Sequence, residues 1–271
     1  MTRSISNWRR FFTKMKNSKS VILFGGRGLI GSCILELLTA AENIERVVSV
    51  DLKENEDDSF PSNHYVNGTH VEHQRIDVTN EEMLNEYFYK LKNDYANTHN
   101  TVINATYPRP SHWGKPINQI SMLEFNNSFA AALGSFFLIA RATGDYFVDR
   151  NIEGTHIGFS SIYGTMAPRF EVYEGTNMNM PVEYAGIKGA INQINRYFAS
   201  YYKTKGITYN LISPGGVYNN QDPIFVENYE KYTGRVGMIS GQDVAQAVLG
   251  LLNSSKAITG QNIIVDDGYS L

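Results

Sequence analysis

Apolar residues recur in two alternating rhythms from Ser20 to the end of this chain. Short β-branched runs alternate with longer stretches whose apolar positions return every three or four residues, the signatures of buried strands and amphipathic helices. Val21-Ile22-Leu23-Phe24 reads as a first strand and Leu29 to Ala40 as the helix that follows. Val47-Val48-Ser49-Val50 makes a second strand, and the segment ending Gln74-Arg75-Ile76 a third. Glu81 to Tyr95 is helical, Thr101-Val102-Ile103 a fourth strand, and residues 118–150 one or two helices. His156 to Phe159 is the fifth strand, Glu183 to Lys203 a long helix, and Thr208 to Ile212 the sixth strand. A helix over Asp243 to Leu252 precedes a last strand, Asn262 to Val265. Strands that are apolar on both faces, separated by crossover helices, predict a seven-stranded parallel sheet in a doubly wound, single-domain α/β Rossmann fold spanning residues 20–271.

Composition narrows the picture. Of 271 residues, 42% are hydrophobic and 12% aromatic, which excludes global disorder. One cysteine, Cys33, excludes an internal disulfide framework and fits a reducing cytoplasm. No uninterrupted apolar run approaches the ~18–20 residues of a bilayer span, so no transmembrane segment is expected. The formal charge of -3 speaks against nucleic acid as a partner, but it hides a split. Residues 1–19 form a basic extension with Arg3, Arg9, Arg10, Lys14, Lys16 and Lys19 and no acid, leaving an acidic body. Ile5, Trp8, Phe11, Phe12 and Met15 recur there at near-helical spacing, so this arm reads as a membrane-surface helix, a subunit-docking segment or a tail without chemistry.

The first chemical signal is Phe24-Gly25-Gly26-Arg27-Gly28-Leu29-Ile30-Gly31, where the first strand turns into its helix. A dinucleotide needs such a turn, because its pyrophosphate must approach backbone that carries no Cβ and lie on the helix N-terminus. Asp51 ends the second strand, where an acid can bond the adenosine ribose, and Asp77, with Val78 beside it, closes the third near the adenine edge. A carboxylate at Asp51 repels the 2′-phosphate of NADP and favours NAD, whereas Arg27 could meet that phosphate.

The second signal is Tyr184-Ala185-Gly186-Ile187-Lys188. Four residues apart on a helix, the ammonium lies near the phenol and favours its ionised form. The bare pattern carries little weight: with 17 Tyr and 12 Lys, chance supplies about one such pair, and Tyr201 with Lys205 is a second. Position separates them. Tyr184 opens its helix and follows Ser160-Ser161 at the end of the fifth strand, the ligand-binding edge of an open α/β sheet, while Tyr201 and Lys205 lie at the opposite edge.

On these residues, with Asn104-Ala105 after the fourth strand, Ser213-Pro214-Gly215-Gly216-Val217 after the sixth, and the ending Gly260 to Gly268, residues 20–271 resemble the short-chain dehydrogenase/reductase family. The resemblance implies Tyr184 as proton donor or acceptor, Ser161 polarising the substrate oxygen, and Lys188 holding the nicotinamide ribose while lowering the tyrosine pKa. It also implies that Asn104, Ala105, Pro214, Gly216, Val217 and Asn219 border the cofactor with Gly25, Arg27, Gly28, Leu29, Ile30 and Gly31. Ala105-Thr106-Tyr107-Pro108-Arg109, the stretch from Ala167 to Glu174, Met180 to Tyr184 and Val265 to Gly268 are similar to oxidoreductases of flagellin-modification and nonulosonic-acid sugar clusters, which implies bacterial surface-sugar biosynthesis.

Three positions depart from that family. The glycine spacing G-x-x-G-x-x-G is that of larger epimerase-type relatives, Ala132 stands where a helix asparagine is usual, with Asn127 or Ser128 a turn earlier, and Asn219 replaces a threonine. Around the nicotinamide edge, Arg109, His112, Trp113 and Lys115 in one loop and Arg169, Tyr173 and Glu174 in another suggest an anionic substrate such as a sugar phosphate or nucleotide-sugar. The plainer reading caps the loop with Arg109 and pairs Arg169 with Glu171 or Glu174. His64, His70, His73 and His99 lack ligand spacing, so no metal is expected. The segment Phe125 to Ala140, apolar on nearly every side, predicts a homodimer or homotetramer. The expected activity is therefore hydride transfer on a hydroxyl or carbonyl; a redox-neutral epimerase or dehydratase with bound NAD and a non-catalytic NAD-binding protein are the alternatives.

Overall fold

The computed structural model describes residues 19–52, 63–94 and 96–271. The basic arm up to residue 18 lies outside them, whereas Lys19, expected as its last residue, is the first of the sheet. Its ammonium donates to the Leu252 carbonyl at 2.6 Å and to Asn253 Oδ1 at 3.1 Å.

The strands are β1 (Lys19–Phe24), β2 (Ile44–Asp51), β3 (Asn63–Val66), β4 (Thr69–Arg75), β5 (Thr101–Asn104), β6 (Gly154–Phe159), β7 (Ile207–Pro214) and β8 (Asn262–Val265). They lie in one sheet in the order β3-β4-β2-β1-β5-β6-β7-β8. Seven are parallel; β3 is an eighth, antiparallel strand on the β4 edge, absent from the expected fold. Its cause was present in the sequence. Asn67 and Gly68 take φ of 50° and 88°, the positive angles of a two-residue hairpin turn.

Helix α1 (Leu29–Ala40) and α6 (Gly241–Leu252) cover one face; α2 (Glu81–Asn93), α3 (Met122–Asp149) and α4 (Val182–Tyr202) cover the other. Strand residues alternate between the two cores: Ile22, Phe24, Val48 and Val50 point to one, Val21, Leu23 and Val47 to the other. Capping explains where helices begin. Asn80 accepts the Met83 N–H, while Ser121 with Glu124 and Ser240 with Asp243 close reciprocal capping boxes. The short α5 (Pro223–Glu230) was not read in the sequence; Asp222 caps it and Pro223 opens it.

Helix α3 runs 28 residues and, among the described residues, is the one helix long and apolar enough in composition to cross a membrane. Arg141 and Asp145 interrupt its apolar run without lowering the mean hydropathy enough to hide it. It serves here as a crossover helix, burying Phe136, Ile139, Ala140, Tyr146 and Phe147 against the sheet. Phe129–Gly134 within it form a widened π-helical segment, a feature common at functional sites.

Candidate active site

The chain reverses its winding between β1 and β5, and the clefts open at the carboxyl ends of these strands. A lobe of about 730 Å³ is lined by Gly25, Arg27, Gly28, Asp51, Asp77 and Val78 with the loop after β5. A second lobe of about 350 Å³ adjoins it, bordered by Gly28, Leu29, Ile30, Ala105, Tyr184, Lys188, Pro214 and Val217. Gly28, Ala105, Thr106, Tyr107 and Arg109 line both, so the two form one elongated groove.

The glycine turn fits the backbone contact a dinucleotide needs. Gly25 has φ +81°, and a Cβ there would lie 2.9 Å from the Ala105 carbonyl carbon. A Cβ on Gly31 would fall 1.9 Å from the Gly25 carbonyl oxygen, so that residue packs helix on turn and lines no lobe. The Gly28 N–H donates to the Gly25 carbonyl at 3.0 Å, and the Arg27 N–H to Asp51 Oδ2 at 2.9 Å. Asp51 therefore locks the turn and borders the groove, where a ribose would meet it. Asp77 accepts from Thr79 N–H and hydroxyl at 2.9 and 2.6 Å.

Tyr184 lies in the first turn of α4, and it lines one cavity together with Ser161. Ser161 accepts the Tyr163 N–H at 3.2 Å, so the serine is pinned by the turn that follows β6. Burial raises the Tyr184 pKa, and the nearby Ser161 hydroxyl and the Arg109 charge pull it back. Lys188 Nζ donates to the Phe159 carbonyl at 3.0 Å and sits 4.5 Å from the Tyr107 ring centre and 5.6 Å from that of Tyr184. Burial foremost, then the Arg109 charge, brings Lys188 down to about 7.

A third cavity, of about 210 Å³, opens beyond Tyr184 and is walled by Trp113, Tyr163, Tyr173, Met178, Phe225 and Tyr229, with Ser161 and Gly216 at its base. The Gly216 N–H donates to the Tyr229 hydroxyl at 2.6 Å, and Tyr229 stacks on Tyr269 with centroids 4.2 Å apart. Tyr107, Trp113 and Tyr184 meet edge to face at 5.3–5.7 Å. Sequence reasoning missed Met178, Phe225 and Tyr229, which carry no motif and converge only in space. It also missed Glu183, buried beside Tyr184 with neither carboxylate oxygen hydrogen-bonded to protein.

With this geometry in view, the profile of the family described as Enoyl-(Acyl carrier protein) reductase matches residues 30–270. A post-translational flagellin modification protein A of Campylobacter coli is 34% identical over 199 residues, 73% of this chain and 77% of that one. The chain belongs to the short-chain dehydrogenase/reductase family. It is an oxidoreductase of that family. A glucose 1-dehydrogenase of Gluconobacter oxydans is 28% identical over 178 residues, 63% of this chain and 61% of that protein. A short-chain dehydrogenase of Leptospira borgpetersenii, solved with bound NAD+, superposes with a TM-score of 0.82 at 29% identity, covering 96% of each chain.

Other expected site residues of this short-chain dehydrogenase/reductase lie elsewhere. Asn104 is buried and turns the loop, its Oδ1 accepting from Thr106 N–H at 3.1 Å and hydroxyl at 2.7 Å. Asn219 is exposed, its N–H on Gln221 Oε1 at 2.6 Å, and it lines none of the three cavities. His112 leaves the substrate rim for Ser128 Oγ, 3.0 Å away. Lys115 pairs with Glu124 at 2.5 Å. Arg169 pairs with neither Glu171 nor Glu174. It donates to the Tyr269 carbonyl at 3.3 Å and lies over the rings of Tyr232 and Tyr269, because its loop packs on the C-terminal segment. Of the helix substitutes, Asn127 lines the first lobe, whereas Ser128 is held by His112. Tyr201 is exposed at the far end of α4, stacked on Tyr197, and Lys205 follows in the turn before β7.

Proposed function

We propose that this protein transfers a hydride between NAD and a hydroxyl or carbonyl carbon of a sugar-like metabolite, with Tyr184 as the acid/base. The observation that carries the reading is the convergence of Ser161, Tyr184 and Lys188 where the groove meets the aromatic cavity. NAD, when bound, supplies the carbon that accepts or donates the hydride. Gly25, Gly28 and the α1 N-terminus hold its phosphates, Asp51 its adenosine ribose, and Asp77 and Val78 border its adenine. Asp51 disfavours the extra phosphate of NADP.

The chain's own residues do the rest. Ser161 orients the substrate oxygen toward the Tyr184 hydroxyl. That phenol gives or takes the proton at this oxygen, with Lys188 on the same helix holding the nicotinamide ribose. Rings at Trp113, Tyr173 and Phe225 offer flat apolar surfaces against which a sugar ring can lie. The flagellin-modification relative supports a place in bacterial surface-sugar biosynthesis, and the sequence character supports a cytoplasmic protein. The exposed Phe137 of α3 and Tyr197 and Tyr201 of α4 support a homodimer or homotetramer built on these helices.

The test is NADH formation or consumption, followed optically, with neutral sugars, sugar phosphates and nucleotide-sugars. Net redox turnover supports the reading. Product formation with no net change in NADH replaces it with isomerisation, and inertness across all classes removes it.

A further inference from the structure

Three cations were expected to gather an anionic substrate, and only Arg109 reaches a cavity. Lys115 is committed to Glu124 and Arg169 to the Tyr269 carbonyl and two aromatic rings. Arg109 is different in kind. It lines both lobes of the groove and is absent from the lining of the aromatic cavity. The residues common to both lobes include Gly28, the N-cap of α1, so the arginine borders the same stretch of groove as the helix N-terminus whose free N–H groups open there.

We propose that Arg109 clamps the diphosphate of the dinucleotide and plays no part in anchoring an anionic substrate. The inference rests on the dinucleotide reading of the groove given above. Two lobes joined at a waist match a molecule with a nucleoside at each end and two phosphates between, and Arg109 is at the waist. Its guanidinium lies 5.7 Å over the Trp113 ring, and among the described residues no carboxylate pairs with it. Pro108 and Pro110 flank it and restrict the backbone on either side, so the side chain is presented from a stiff loop. A guanidinium fork suits two adjacent phosphate oxygens better than an ammonium does.

A consequence follows for the substrate. With Arg109 assigned to the diphosphate, the aromatic cavity has no lysine, arginine or histidine in its lining. A phosphate or carboxylate buried there would have no counter-charge, so the moiety that enters is an uncharged ring with an apolar face. The charge that Arg109 exerts on Tyr184 and Lys188 agrees with its closeness to the reacting centre.

The experiment measures binding to the full chain by calorimetry and NADH fluorescence, using NADH, ADP-ribose and adenosine as probes. Arg109→Ala is expected to weaken NADH and ADP-ribose by about 10- to 100-fold, the scale of lost charge-assisted bonds, and to leave adenosine unchanged. Arg109→Lys should fall between, and the salt dependence of ADP-ribose binding should flatten in Arg109→Ala. At saturating NADH, Arg109→Ala should change KM no more for sugar phosphates than for neutral sugars, since the side chain does not anchor substrate charge. The inference is overturned if Arg109→Ala binds NADH and ADP-ribose like the wild type, whatever happens to KM. Failure of the wild-type chain to bind NADH would instead remove the dinucleotide reading beneath it. Because Arg109 is exposed on a loop, loss of fold is not the expected cause of weakening, and matching thermal melts of the two variants check this.

Discussion

The adenosine half of the groove and the substrate half are built on opposite plans. The first is assembled from neighbours: Gly25 to Gly31 make one turn, Asp51 ends the adjacent β2, and Asp77 lies two residues past the end of β4, the next strand over. Its contacts are backbone to carboxylate, as in the 2.9 Å bond from the Arg27 N–H to Asp51. The second is assembled from strangers. Tyr163, Tyr173, the α5 pair Phe225 and Tyr229, and Tyr269 come from four separate stretches and form one aromatic cluster. A part that recognises an invariant ligand can be short and polar. A part that must shape a cavity around one particular substrate needs bulk from many directions.

Variants can break this contrast from either side. The largest effect is expected at the junction: Tyr184→Phe should lower kcat by about 10³-fold, the middle of the range for general acid–base catalysis, with NADH affinity unchanged by fluorescence titration. Loss of NADH binding in that variant would mean the tyrosine belongs to the adenosine plan rather than the substrate plan.

Next is the strain that the substrate half carries at Lys188. Its folded pKa, about 7, lies below the ordinary 10.5. Between those values the unfolded chain binds more protons, so the lysine's contribution to stability improves as pH rises and is worst below 7. Lys188→Met removes this cost. The cofactor-free variant should melt above the wild type at pH 6, and the gap should narrow by pH 9 in parallel melts. A gap constant with pH would show that the lysine is not strained.

In the adenosine half, Gly31→Ala places a Cβ against the Gly25 carbonyl. It should cost about 1–3 kcal/mol of stability together with NADH affinity, read by chemical denaturation and titration. The smallest effect is expected from Phe225→Ala, which opens the aromatic wall: KM should rise about tenfold, worth 1.4 kcal/mol, with NADH binding intact. Should Phe225→Ala weaken NADH instead, the two halves are not separate.

Legibility followed the same division. Leu29–Ala40 and Asn262–Val265 match the expected elements residue for residue, because their period is local and strong. Asn67-Gly68 was a readable hairpin signal, but the strand it turns, Asn63–Val66, is only four residues long with charged and polar neighbours. The pair Ser161–Tyr184 was legible because both positions abut strand and helix ends. Arg169 was not: no spacing tells that a loop arginine will lie over Tyr232 and Tyr269, far along the chain. Lys115 and His112 were misread for the same reason, each finding a partner on α3.

Periodicity, caps and glycine geometry act over a few bonds, so most of the strands and helices, the glycine turn after β1 and the place of Tyr184 rather than Tyr201 at the carboxyl edge of the sheet were already written in the residues. Which cations remain available to a ligand, and which aromatic rings enclose one, depends on long-range packing. There each side chain takes the partner that folding brings nearest, and Arg109 alone of the three expected cations is left facing the groove.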